Sequence, residues 1–294
     1  MVQLTPHILH RFGPGAFVVG LVTLLLSGCG GSDVLNALAS ERGVAVQRDI
    51  SYGPEDRQAY DLYRPTNVQP KGLVIFYYGG SWDSGSRGMY EFLGTSLAKR
   101  GYVTAIPDYR LYPEVTFPAF VEDGALAFRA IRARVGDTVP TFVMGHSAGA
   151  HIAGMIALAP RYLNAQDLSP CGSIAGFIGL AGPYDFEISE RYGPTFPAQT
   201  RNFSQVLPFA KEGRHPPTLL LHGTADTTVE PRDSQLLAQA LRANGNMVEL
   251  KLMEGTGHIG IVAAFSGALR FTAPTLPLVT DFMDRIAADP PGCR

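Results

Sequence analysis

The feature that most restricts this chain is the run Phe142-Val143-Met144-Gly145-His146-Ser147-Ala148-Gly149-Ala150-His151. An apolar, β-type stretch stops at Gly145, Ser147 follows two residues on, and a run of small, helix-type residues begins at once. A serine flanked at −2 and +2 by glycine fits a strand-to-helix turn too tight for side chains at the flanking positions. Such a turn lifts the Ser147 hydroxyl off the end of a sheet and sets the Ala148 N–H at the start of a helix. A nucleophile beside a ready-made anion site is what acyl transfer requires. The pattern is short, so the rest of the chain must supply its partners.

The surrounding periodicity supplies a sheet. β-type stretches at 44–51 and 58–63 open the body, and further strands are expected at 73–78, 102–107, 141–145, 174–180, 218–222 and 247–253. Helix-type runs fall between or after them at 86–100, 118–135, 148–159, 233–244 and 275–288. Leu73-Val74-Ile75-Phe76-Tyr77-Tyr78 and Thr218-Leu219-Leu220-Leu221-His222 are nearly continuous apolar runs, as in strands covered on both faces. The expectation is an α/β domain over 44–294, with about eight mostly parallel strands flanked by helices. Reactive groups in such sheets collect at the carboxyl ends of the strands. The segment 185–216, rich in Pro, Gly and aromatics, has no place in the alternation and reads as a small cap over the site mouth. Lys+Arg of 24 against Asp+Glu of 26 leaves no basic stripe, which argues against a nucleic-acid partner. No Cys/His spacing suggests a metal, and no cofactor is called for.

Three other strand ends carry what Ser147 would need. Gly79-Gly80-Ser81-Trp82 follows the third strand, and a glycine pair lets the backbone turn its N–H groups towards an oxyanion. Gly79, Gly80 and Ala148 are therefore the expected oxyanion donors. Asp226, in His222-Gly223-Thr224-Ala225-Asp226, can accept from an imidazole and fix its tautomer. His258, in Glu254-Gly255-Thr256-Gly257-His258, can reach the serine hydroxyl as general base. Asp185 at another strand end is the alternative acid. Trp82 and His146 are expected to line the substrate pocket, His146 with a second possibility of supporting the loop. His151 and His222 read as structural, and Glu230 and Asp233 as charges at a helix start.

Taken together, Tyr78-Gly79-Gly80-Ser81-Trp82, Asp108-Tyr109-Arg110-Leu111-Tyr112-Pro113-Glu114, Gly145-His146-Ser147-Ala148-Gly149 and Gly257-His258 resemble an α/β-hydrolase. The branch they resemble is the hormone-sensitive-lipase-like carboxylesterases, near the feruloyl-esterase-like and kynurenine-formamidase-like groups. The resemblance covers roughly 44–288 and implies a Ser147–Asp226–His258 triad. Two positions depart from the family pattern: Tyr78 stands where a histidine orders the oxyanion loop, and Tyr112 where alanine is usual. By the resemblance, Arg110 and Glu114 brace loops internally.

The first residues form a separate unit. Arg11 precedes an apolar run from Ala16 to Leu26, too short to span a bilayer comfortably but suited to a signal peptide. Leu26-Ser27-Gly28-Cys29 resembles the lipobox of bacterial lipoproteins, which implies a signal peptide over 1–28, a lipid on Cys29 and a polar tether over 29–43. Gly30, not aspartate, follows the cysteine, which points to an exported protein on the outer membrane facing the periplasm. Cys171 and Cys293 then remain, either as a disulfide in an oxidising compartment or as two separate thiols. The expected activity is hydrolysis of small carboxylic esters with short or medium acyl or aryl groups. The rivals are an amidase, arylformamidase or peptidase on the same fold, and a catalytically silent surface binding protein.

Overall fold

The computed structural model describes residues 30–293, so the signal peptide expected over 1–28 and Cys29 lie outside the described residues. At its centre is an eight-stranded sheet of β1 (Val44–Ser51), β2 (Ala59–Pro65), β3 (Gly72–Tyr77), β4 (Tyr102–Pro107), β5 (Thr141–His146), β6 (Gly176–Leu180), β7 (Thr218–Gly223) and β8 (Val248–Met253). The spatial order is β1-β2-β4-β3-β5-β6-β7-β8. β2 runs antiparallel to β1 and β4, and every later neighbouring pair is parallel. The inner strands β3 to β7 are buried along their whole length, whereas the edge strands β1 and β8 keep exposed residues. That difference is why the inner strands read as unbroken apolar runs.

The longer helices are α1 (Gly30–Ala37), α2 (Glu91–Ala98), α3 (Ala119–Val135), α4 (Ala148–Leu158), α5 (Pro231–Ala243) and α6 (Thr275–Ala288). Parallel crossovers deliver the loops after β3, β5, β7 and β8 to one end of the sheet. The loops after these four strands carry Gly79, Ser147, Asp226 and His258 respectively.

Two segments differ from expectation. The stretch read as a polar tether folds into α1, and the Asn36 amide fixes it to the body. Asn36 Nδ2 donates to Gly88 O at 2.7 Å, and its Oδ1 accepts from Phe92 N at 3.0 Å. Asn36 thereby completes the open N-terminus of α2, while Leu35 is buried beneath α1. The run expected as one helix over 86–100 is a 3-10 turn (Arg87–Tyr90) followed by α2, because Arg87 N donates to Asp108 Oδ1 at 2.7 Å.

The segment 185–216 contains two 3-10 turns, Ala198–Phe203 and Leu207–Lys211, and no longer helix. Aromatic packing fixes it to the body: the Phe196 ring lies 4.8 Å from Trp82 and 5.4 Å from Phe117, centroid to centroid. Cys171 and Cys293 form a disulfide, which settles the alternative left open by the sequence.

Candidate active site

Ser147 sits at φ 54°, ψ −125°, a left-handed conformation that costs a non-glycine residue roughly 1–2 kcal/mol. The neighbouring glycines make it possible. A Cβ on Gly145 would lie 2.1 Å from Gly149 O, and one on Gly149 2.0 Å from Tyr77 O. Ser147 N donates to Leu180 O at 3.0 Å, which pins the turn to β6.

On the far side of the site, His258 Nδ1 donates to Asp226 Oδ2 at 2.7 Å. A carboxylate partner assigns the proton to Nδ1 and leaves Nε2 as the acceptor. Asp226 Oδ1 accepts from Thr228 N at 2.9 Å and Val229 N at 3.0 Å, closing a turn that fixes the carboxylate's direction. Burial opposes the charge on Asp226, but hydrogen bonds from His222, His258 and the Val229 N–H outweigh it. They hold the carboxyl well below the usual carboxylate range. The pairing excludes the alternative acid: Asp185 lies exposed at the cleft and has no part in it.

Of its two expected roles, His146 takes the second, supporting the loop, and it does not line the cleft. It is buried, and its Nε2 donates to the backbone carbonyl of His258 at 3.0 Å. Burial, reinforced by the neighbouring His258, pushes its pKa down to about 3, so it works as a neutral donor. The bond ties the turn that carries Ser147 to the loop that carries His258, with the two rings 4.8 Å apart. His151 is structural, as expected: buried on α4, it donates from Nε2 to Ser204 O of the cap at 2.7 Å.

The cleft has a volume of about 340 Å³. Ser81, Trp82, Ser147 and Ala148 form its sheet side, and Phe186 and Tyr192 face them from the cap. Trp82 therefore does border the cleft, but as a wall buried among rings, with Phe186 stacked on it at 5.3 Å. At Gly79 a Cβ would lie 2.9 Å from Ser147 Cβ, so the glycine permits a close approach to the serine turn. Gly80 turns at φ 134°, followed by Ser81 at φ 52° and Trp82 at φ 62°. Arg110 braces α3, donating from Nη2 to Asp123 Oδ1 at 2.7 Å and from Nε to Asp123 Oδ2 at 2.9 Å. Glu114, by contrast, is exposed and contributes only its charge near Arg110. Among the described residues no group of three or more His, Cys, Asp or Glu is placed to hold a metal.

Sequence reasoning missed two contacts. His222 Nε2 lies 3.2 Å from Asp226 Oδ2 and donates to Val229 O at 3.0 Å, while Nδ1 accepts from Ser234 Oγ at 2.8 Å. It is a second imidazole on the same carboxylate, and the spacing of four between His222 and Asp226 was the available signal. Ser81 borders the cleft because it follows the glycine pair, a position without a compositional signal.

A doubly covered, mostly parallel sheet with a serine on a strained strand-to-helix turn, an acid after β7 and a histidine after β8 defines an α/β-hydrolase. Within that class the chain belongs to the BD-FAE family, whose model matches residues 60–241. Isoprenylcysteine alpha-carbonyl methylesterase of Arabidopsis thaliana is 32% identical over 240 residues, covering 72% of this chain and 56% of that protein. Esterase LipC of Mycobacterium tuberculosis is 29% identical, covering 76% of this chain and 62% of that one. The chain thus spans little more than half the length of these relatives. Kynurenine formamidase of Drosophila melanogaster is 28% identical, with 76% of this chain and 78% of that protein covered. Among solved structures, propionate-bound Est2 of Thermogutta terrifontis superposes with a TM-score of 0.69 at 25% identity, covering 83% of this chain and 94% of that one. Esterase B of Lactobacillus rhamnosis shares the fold, with a TM-score of 0.75 at 18% identity, covering 94% and 97% of the two chains.

Proposed function

We propose that this protein hydrolyses small carboxylic esters through an acyl-enzyme. Ser147 Oγ attacks the ester carbonyl carbon as its proton passes to His258 Nε2, and Asp226 supports the imidazolium that forms. The tetrahedral oxyanion accepts from the Ala148 N–H and from the turn at Gly80 and Ser81. Each such donor is worth on the order of 3 kcal/mol in the transition state. The leaving alcohol takes the proton from His258, and water then releases the acid from Ser147 by the same steps. The observation that carries this reading is the Asp226–His258 hydrogen bond, on a loop that His146 fastens to the Ser147 turn. A cleft of about 340 Å³, with Trp82, Phe186 and Tyr192 on two sides and the charged Asp185, Glu187, Glu230 and Arg232 around them, suits short or medium acyl groups or aryl esters. Fluorophosphonate labelling that disappears in Ser147→Ala is the test; an unlabelled wild-type protein overturns the reading. The formamidase relative supports an amide-cleaving alternative, and matched ester and anilide substrates separate the two, with the ester expected to turn over faster.

The N-terminus is proposed to carry a lipid on Cys29 after removal of residues 1–28, holding the protein on the outer membrane facing the periplasm. The lipobox-like sequence and a disulfide suited to an oxidising compartment support this. Incorporation of labelled palmitate, lost in Cys29→Ser, is the expected result. Equal labelling of the two proteins overturns it.

A further inference from the structure

The loop after β3 is strained and is held both from within and from outside, where Tyr112 N donates to Trp82 O at 2.9 Å. Gly80, Ser81 and Trp82 follow one another at positive φ, and two of them carry side chains that disfavour that region. Bonds inside the loop are short-range: Asp83 N and Ser84 N each donate to Gly80 O at 3.0 Å. The groups that grip the loop from outside come from distant parts of the chain. Arg57, in the turn between β1 and β2, donates from Nη2 to the Tyr78 hydroxyl at 2.8 Å and to Gly85 O at 2.9 Å, and from Nε to Tyr109 O at 2.8 Å. One guanidinium thus spans both feet of the loop, Tyr78 and Gly85. The Tyr78 hydroxyl in turn donates to Asp108 Oδ1 at 2.7 Å, and the Tyr109 hydroxyl donates to Tyr78 O at 2.7 Å. Asp108 is buried and also accepts from Arg87 N, so its place is fixed independently of Arg57.

We infer that Arg57 and Tyr78, backed by Asp108, form a staple that sets the angle of the turn at Gly80 and Ser81, making them positioning residues for the oxyanion donors. This rests on the reading of that turn as the oxyanion-holding segment. The planar fork of arginine suits the task, because it reaches a hydroxyl and two carbonyls from one rigid plane, which a lysine cannot do. The hydroxyl of Tyr78 is also long enough to meet both Arg57 and Asp108 at a position where the family pattern has a histidine. None of these groups borders the cleft, and Trp82 is held separately by the rings of Phe120, Phe186 and Phe196, so releasing the staple acts on the oxyanion donors more than on substrate affinity.

The test compares Tyr78→Phe, Arg57→Ala and the double variant with wild type, using a short-chain ester, a trifluoromethyl ketone that mimics the tetrahedral species, and the product acid as ground-state ligand. Tyr78→Phe keeps the ring stacked on Tyr109 at 4.7 Å and removes only the hydroxyl. The expected result is a fall in kcat of about 10–50-fold, with KM and product-acid affinity within about twofold and ketone affinity weakened by the same factor as kcat/KM. The double variant is expected to be no worse than the poorer single one, because both substitutions open the same staple. Active-site titration with a phosphonate corrects for any unfolded fraction, and Tyr78→Phe decides alone if Arg57→Ala fails to fold. Turnover equal to wild type, or losses spread equally over ketone and product acid, overturns the staple. If wild type itself neither labels nor cleaves the ester, the proposed function fails instead.

Discussion

The two walls of the cleft are supported by different chemistry. On the side of β3, the loop rests on permanent ions: Arg57 and Arg87 converge on Asp108, and Arg87 also bonds Asp61. On the side of β7 and β8, the supports are imidazoles: His222 bonds Asp226, and buried His146, a neutral donor, bonds the His258 backbone. Permanent ions suit a wall that must only keep its shape. Neutral donors suit a wall that accepts a proton in the proposed reaction, because an extra positive charge there would oppose the formation of an imidazolium at His258. Burial keeps His146 in this state, at a pKa of about 3.

The largest effect that tests this contrast is Asp226→Asn, which keeps the size of the side chain but removes the anion that supports the imidazolium. It is expected to lower kcat by about 10³–10⁴-fold in steady-state ester assays. A drop under tenfold would mean that the wall works by geometry alone. His222→Phe is expected to cost about tenfold. It also removes a donor that weakens the Asp226 carboxylate as a base, so the acid limb of the kcat/KM profile should move to higher pH. An unmoved limb would leave His222 with a packing role only.

Acid stability is the next test. His146 and His151 are held by burial at about 3 and about 4, so both stay neutral in the fold. Between their ordinary value of 6.5 and those values the unfolded chain binds more protons than the folded one, and stability falls as pH drops through this window. Each contributes up to about 1.4 kcal/mol per pH unit. Asp233 acts in the opposite sense: burial raises it from 3.8 to about 6, so its contribution to stability is present at low pH and lost as pH rises through 6. These two imidazoles, joined by His215, which burial also lowers, outnumber the one carboxyl and predict a net fall in Tm from pH 6.5 to 4.5 in a buffer series, and a flat Tm would place the acid-sensitive groups elsewhere. The smallest effect concerns the ionic wall. Because Asp108 and Asp61 are buried, 1 M salt should change kcat/KM by less than about twofold.

Much of this was legible in the sequence. Inner strands announce themselves through unbroken apolar runs, and Gly145 and Gly149 mark the serine turn because no other residue fits. The positions of Asp226 and His258 after their strands were enough to anticipate their meeting. The supports were not legible. Arg57 acts through hydrogen bonds to residues 21, 28 and 52 positions away, and such pairings leave no periodic trace. Asn36 likewise turns an apparently polar leader into a docked helix by one amide. His146 stayed open between two roles because a residue in the serine turn can face either the cleft or the sheet, and only packing decides.

The disulfide carries a consequence for the molecule's covalent layout. Joining Cys171 to Cys293 across 122 positions closes a ring that contains β6, β7, β8, the whole cap, Asp226 and His258. Ser147 and the Arg57 loop lie on the open chain outside that ring. A protease that nicks the exposed stretch around Glu190 and Arg191 would therefore open the ring without releasing any fragment. Asp226 and His258 would stay tethered to the half-molecule that bears Ser147, and only a reductant would set them free.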